Sequence, residues 1–297
     1  MNALEFEGIR RSYKKGVNVL DGVSFGVEPG QVVGLLGKNG AGKTTLIRIA
    51  MGMIEPHEGT VRVLGLDPRS DAVEVKRRVG YVSEEQILPP FLTIGSIVEL
   101  HRQLYPTWDA EMARGLMERF ELPTGARIKS LSKGQARRVA LLCAVAHRPE
   151  LLLLDEPASG LDPAARREFL ETSIRLLNET GTSILFSSHY MTDVERLADR
   201  IVMIHDGGVL IDNGLDELHE GFSLAMVPRT NGMSRDRILG LAHCIGVRER
   251  PGAYHAILRL APPAARTEVE SGLGVADARC QAIALEDMFV ELAGGRS

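Results

Sequence analysis

Gly37-Lys38-Asn39-Gly40-Ala41-Gly42-Lys43-Thr44 follows a short apolar run, Val32 to Leu36, and opens onto Thr45-Leu46-Ile47-Arg48-Ile49-Ala50, which has helical character. Strand, glycine turn and helix in that order are the context that the phosphate-loop pattern GxxxxGK[ST] requires. Backbone N–H groups can wrap phosphate oxygens at close range only where glycine lets the chain turn, and the positive end of the next helix then faces the anion. Gly37, Gly40 and Gly42 supply that freedom, with Asn39, Ala41 and Thr45 on the same loop and first turn. Lys43 is placed to neutralise β- and γ-phosphates, and the Thr44 hydroxyl to bind Mg²⁺.

A second chemical signal is Leu151-Leu152-Leu153-Leu154-Asp155-Glu156, an apolar strand that ends in two carboxylates. Successive strand side chains point in opposite directions, so neighbouring acids at a strand end can take different tasks. Asp155 suits the magnesium shell. Glu156 is then free to act as general base toward a water in line with a γ-phosphate.

The runs Leu151 to Leu154 and Ile184 to Phe186 lie between helix-like segments, as buried strands of a parallel sheet do. Leu4 to Ile9, Val19 to Val27 and Gly59 to Val63 look like shorter strands of an antiparallel edge layer, bounded by Gly and Pro. Between Thr93 and Ala146 the pattern is helical, broken at Pro106 and Pro123, and predicts an inserted helical subdomain. The fold class is α/β, with one large domain over residues 1–220 and a small α+β accessory domain over 221–297. With 297 residues, 44% of them apolar, the chain can bury a large core. A net charge of -4 gives no basic excess for a nucleic-acid backbone, so no nucleic-acid partner is expected. The longest apolar runs fall short of the roughly 18 to 20 residues that cross a bilayer, and Met1 to Arg10 lacks the layout of a secretory leader, which makes the cytoplasm the expected location. Cys143, Cys244 and Cys280 form no CxxC pair and suit reduced thiols.

Leu131-Ser132-Lys133-Gly134-Gln135, about twenty residues before the paired acids, resembles the LSGGQ signature of ABC ATPases. Other motifs stand in that family's order: an aromatic, Tyr13, ahead of the phosphate loop; Ser159-Gly160-Leu161-Asp162, similar to its D-loop; and His189 after Ser187-Ser188, similar to its switch histidine. The resemblance covers about the first 215 residues. It implies a P-loop ATPase of ABC type that uses ATP and Mg²⁺ and pairs head to tail, so that the phosphate loop of one subunit faces the signature of the other. Within the trans signature of Ser132, Lys133, Gly134 and Gln135, Ser132 and the Gly134 backbone would then meet the γ-phosphate held by the opposite subunit. His189 would orient the attacking water, Asp162 would connect the two sites, and Tyr13 would stack on adenine. Read from residues alone, these positions are equally a helix cap (Ser132), a turn acid before Pro163 (Asp162), a core histidine (His189) and a strand residue (Tyr13).

Two departures stand out. Where the family has a glutamine, this chain has Ser83-Glu84-Glu85-Gln86, and Glu84 aligns with that place as a further Mg²⁺ ligand, with Gln86 the alternative if the loop is shifted. Lys133 replaces a signature glycine and adds either a trans contact to ATP or a solvated cation. The segment from Phe91 through Trp108 and the closing Leu285 to Leu292 resemble bacterial ATPases of ABC-2-type exporters. That resemblance implies a separately encoded transmembrane permease, a homodimer of ATPase subunits and a position on the inner face of the cell membrane. A soluble relative acting on ribosomes or nucleic acid is the competing reading.

Overall fold

The structure, a computed structural model, describes all residues except 15, 86–87, 179–180, 231, 277 and 294–297. The chain divides into two compact units, Met1–Asp212 and Asn213–Ser297.

The first unit is built on a six-stranded sheet of β3 (Val32–Leu36), β5 (Val79–Val82), β6 (Leu151–Leu154), β7 (Ser183–Ser188), β8 (Arg200–His205) and β9 (Gly208–Gly214), in the order β5-β6-β7-β3-β8-β9. The pairs β5–β6, β6–β7, β3–β7 and β3–β8 are parallel. Every residue of β3, β6 and β7 is buried, which explains their continuous apolar runs: both faces are covered, so neither needs polar alternation. The antiparallel layer is β1 (Leu4–Lys14) between β2 (Val17–Val27) and β4 (Glu58–Val63), as its Gly-bounded segments predict. Phe6, Ile9, Leu20 and Val63 from this layer share one core with Leu35, Ile47, Leu153 and Leu185.

Helices α1 (Lys43–Ala50), α2 (Ala72–Arg78), α6 (Pro163–Asn178) and α7 (Met191–Leu197) connect these strands. Between Thr93 and Ala146 lie α3 (Ile94–Leu104), α4 (Ala110–Arg119), a short 3-10 turn (Ile128–Ser130) and α5 (Lys133–Val145). Thr93 and Asp109 cap α3 and α4 by accepting from the N–H groups of Ser96 and Met112. Helix α5 packs directly on β5, where a methyl added at Gly80 would sit on the Ala144 carbonyl oxygen. Gly80→Ala is therefore expected to cost about 1–3 kcal/mol through overpacking. A fall in the midpoint of chemical unfolding checks this; an unchanged midpoint would show that β5 and α5 separate freely.

The second unit holds α8 (Leu215–Gly221), β10 (Ser223–Pro228), α9 (Arg235–Leu239), β11 (Cys244–Arg250), β12 (Ala253–Leu258), α10 (Pro262–Leu273), β13 (Arg279–Ala282) and α11 (Leu285–Ala293). Its antiparallel sheet has the order β11-β12-β10-β13. Strand β12 thus separates the two strands joined by α9, the split βαβ arrangement. Ala225, Val227, Tyr254, Ala256 and Leu258 pack with Ile238, Val269 and Leu273 as a separate core. The two units meet at Asp212/Asn213, near the end of β9, and α8 follows with Leu218 fully buried. Among the described residues no helix is long and apolar enough to cross a membrane.

Candidate active site

Parallel strands end on one edge of their sheet, and the register here aligns Leu36 with Ser188 and Leu154 with Phe186. The loop after β3, the two acids after β6 and the polar end of β7 consequently leave the sheet side by side, the usual place for a ligand in an open α/β sheet.

Gly42 precedes α1 at φ 104°, a left-handed conformation that few residues other than glycine adopt, and a side chain there would run into Leu20. Lys43 follows with only 5% of its surface exposed. Its Nζ donates to the carbonyls of Gly37 (2.6 Å) and Lys38 (3.3 Å) and stands 3.1 Å from Glu156 Oε1. The hydroxyl of Thr44 donates to Asp155 Oδ1 at 2.9 Å. Ser187 donates to the same oxygen at 3.0 Å and accepts the Glu156 N–H at 2.8 Å, so one buried hydroxyl ties both acids together.

Burial raises the Asp155 pKa, while the hydrogen bonds from Thr44 and Ser187 oppose that shift. A carboxylate taken out of water beside a hydroxyl ligand gains most from a cation, so Thr44 and Asp155 fit Mg²⁺. Glu156 is 8% exposed, with its backbone at φ 45°, a strained conformation costing on the order of 1–3 kcal/mol of the kind stored at functional sites. Its Oε2 lies 2.8 Å from His189 Nδ1, and its buried Oε1 has no hydrogen-bond partner and faces Lys43 only as an ion pair. Such a carboxylate retains free lone pairs for a water proton.

The remaining expected residues divide by distance from this centre. Tyr13 stands at the rim, its ring 55% exposed, with Oη 3.3 Å from Thr45 Oγ1. Ser132 and Gln135 form a reciprocal cap on α5, Ser132 Oγ accepting from Gln135 N–H (3.1 Å) and Gln135 Oε1 from Ser132 N–H (3.0 Å). Ser132 and Lys133 are exposed, and among the described residues no hydrogen bond or ion pair joins Ser132, Lys133, Gly134 or Gln135 to the loop from Gly37 to Thr44. Asp162 caps α6, its Oδ1 accepting from the N–H groups of Ala164 (3.1 Å) and Ala165 (3.0 Å).

Glu84 is the third expected Mg²⁺ ligand. It is exposed on the loop after β5, and among the described residues no hydrogen bond links it to Thr44 or Asp155. The charge it acts on is Arg137, a buried guanidinium in α5 whose pKa burial lowers and Glu84 raises. Gln86, the alternative, lies outside the described residues. Residue-by-residue reading also passed over Ser187; the signal was a serine continuing a fully buried strand, where a hydroxyl needs a partner.

A sequence profile of the family described as ABC transporter matches residues 20–159. The Nod factor export ATP-binding protein I of Paraburkholderia xenovorans is 38% identical over 210 residues, 69% of this chain and 68% of that protein. A solved structure of an ATP-binding subunit of an ABC transporter is similar at TM-score 0.67 and 32% identity, covering 73% of this chain and 92% of its own. The dimeric cassette MJ0796, solved in a post-hydrolysis state bound to ADP and Pi, is similar at TM-score 0.63 and 25% identity, covering 71% and 98%. The chain belongs to the ABC transporter ATP-binding proteins, the ATP-hydrolysing subunits of that family.

Proposed function

We propose that two copies of this chain pair around MgATP and drive a separately encoded transmembrane permease from the cytoplasmic face, moving substrate outward. ATP-binding subunits of this family dimerise and work with transmembrane partners. The observation that carries it is the split of the ATP machinery. Lys43, Thr44, Asp155, Glu156 and His189 converge at one sheet edge, whereas Ser132 and Lys133 are exposed at the start of α5, and among the described residues no hydrogen bond or ion pair joins Ser132 to Gln135 to that edge. A γ-phosphate in the loop can meet that signature only on a second copy.

In this reading the amides of Gly40, Ala41 and Gly42 and the N-terminus of α1 hold phosphate, and Lys43 neutralises charge on the β- and γ-phosphates. Mg²⁺ held by Thr44 and Asp155 supplies further neutralisation of the phosphate oxygens. Glu156 takes a proton from the attacking water, and His189, hydrogen-bonded to Glu156, aligns that water with the γ-phosphate. Tyr13 stacks on adenine. From the second copy come Ser132, Lys133, the Gly134 amide and Gln135, while Asp162 lies between the two sites. Loss of the γ-phosphate removes contacts from both copies and opens the pair, a ligand-biased interface. Similarity to a Nod factor export protein supports the outward direction.

Affinity purification of tagged Glu156→Gln protein from mildly solubilised native membranes with MgATP tests the partner. A polytopic membrane protein in near-equal amount is expected. Recovery with ribosomal or DNA-bound partners and no membrane protein would contradict the reading.

A further inference from the structure

Beside the hydrolytic centre lies a cluster that none of the family's motifs contains. Arg166 sits in the first turns of α6, its N–H donating to the carbonyl of Asp162 at 2.9 Å. Its guanidinium lies over the ring of Tyr190, 3.8 Å from the centroid, and its Nε is 3.3 Å from Asp193 Oδ2 on α7. Both charged side chains are largely buried, 15% and 12% exposed. The Tyr190 ring in turn packs against the His189 ring at 4.0 Å, and His189 Nδ1 is 2.8 Å from Glu156 Oε2. Contact is thus continuous from the start of α6 to the carboxylate of Glu156.

Each member has one mechanical task. Asp193 is a buried acid whose pKa burial raises and Arg166 lowers, so the ion pair keeps the guanidinium in place. The flat guanidinium covers one part of the Tyr190 ring, a geometry that lysine cannot reproduce. Tyr190 is otherwise 40% exposed, and its backbone is pinned by Ser188, whose Oγ accepts the Tyr190 N–H at 3.0 Å. A ring so placed restricts the directions in which the His189 imidazole can turn.

We propose that Arg166 is a positioning residue for ATP hydrolysis: through the ring of Tyr190 it fixes the His189 imidazole against Glu156 and relays movement at Asp162 to that pair. The inference rests on the roles proposed above for Glu156 and His189. It adds a route by which the start of α6, exposed at Asp162, acts on the hydrolytic step without touching ATP.

The test is steady-state ATPase kinetics of the full chain for Arg166→Ala, Arg166→Lys, Tyr190→Ala, Tyr190→Phe and the Arg166→Ala/Tyr190→Ala double variant. Arg166→Ala and Tyr190→Ala should each lower kcat by about tenfold, short of the roughly 100-fold that a displacement of about 1 Å can cost. KM for ATP should stay within about twofold, because no ground-state contact to nucleotide is lost. Tyr190→Phe, which keeps the ring, should recover at least about half of kcat, whereas Arg166→Lys, which keeps charge but not the plane, should not. The double variant should lose no more than the worse single variant, since both act through one contact. Additive losses, KM rising in step with the fall in kcat, or Tyr190→Phe as impaired as Tyr190→Ala would overturn the inference. If Arg166→Ala does not fold because Asp193 is left unpaired, Arg166→Lys and the two Tyr190 variants decide it by the same criteria. Glu156→Gln, run alongside, separates the failures. Retained turnover there removes the underlying roles, while lost turnover with normal Arg166 and Tyr190 variants removes only this proposal.

Discussion

Glu156→Gln is expected to lower kcat for ATP hydrolysis by about 100-fold or more, the lower part of the range that general-base groups contribute. That loss corresponds to about 2.7 kcal/mol of transition-state stabilisation. Gln has the shape of Glu but cannot accept a proton from the attacking water. MgATP binding should be retained or strengthened, because the substitution removes a negative charge 3.1 Å from the Lys43 ammonium, which is then free to serve phosphate. The two effects together make ATP accumulate unhydrolysed, and the variant should form a stable MgATP-dependent dimer, measured by light scattering. Near-normal turnover would move the general base elsewhere.

Lys43→Ala should fail at the other end of the cycle. The Lys43 side chain is only 5% exposed, its ammonium lying against the carbonyls of Gly37 and Lys38 and the Glu156 carboxylate. Its removal takes away a buried cation of the phosphate loop and leaves Glu156 Oε1 without its ion-pair partner. Breaking a buried pair this way costs about 3–5 kcal/mol. That cost falls on folding stability; loss of the charge-assisted contact from Lys43 to phosphate, about 1.5–3 kcal/mol, raises the Kd for MgATP by roughly 10- to 150-fold. Titration calorimetry separates the two variants: Glu156→Gln changes turnover and Lys43→Ala changes binding.

Local pattern carried much of this site into view. Gly37 to Thr44 and Asp155–Glu156 stand at strand ends, and parallel strands deliver their ends to one edge, so spacing along the chain translates into proximity in space. What local pattern omits is the second layer of contacts. Ser187 bonds both acids from the next strand, and Arg166 reaches Tyr190 from a different helix, pairings that depend on how elements pack and not on spacing. Glu84 illustrates a related point: spacing along the chain does not show that its charge raises the pKa of Arg137, which lies in a different element, α5. The same limit applies to the second unit. Its α+β character and final helix are readable, but the order β11-β12-β10-β13 arises from long-range pairing between β10 and β13 that no local pattern encodes.

The central claim, that each ATP is hydrolysed between the phosphate loop of one copy and the signature of another, is tested most directly by mixing two inactive variants. Ser132→Arg blocks the signature but leaves the phosphate loop intact, and Lys43→Ala disables the phosphate loop but leaves the signature intact. In a mixed pair, one site joins the sound phosphate loop to the sound signature. Each variant alone should show little ATPase activity, and the mixture should recover activity that peaks near equal amounts. No recovery at any ratio, although both proteins are folded and able to pair, would contradict a site shared between copies.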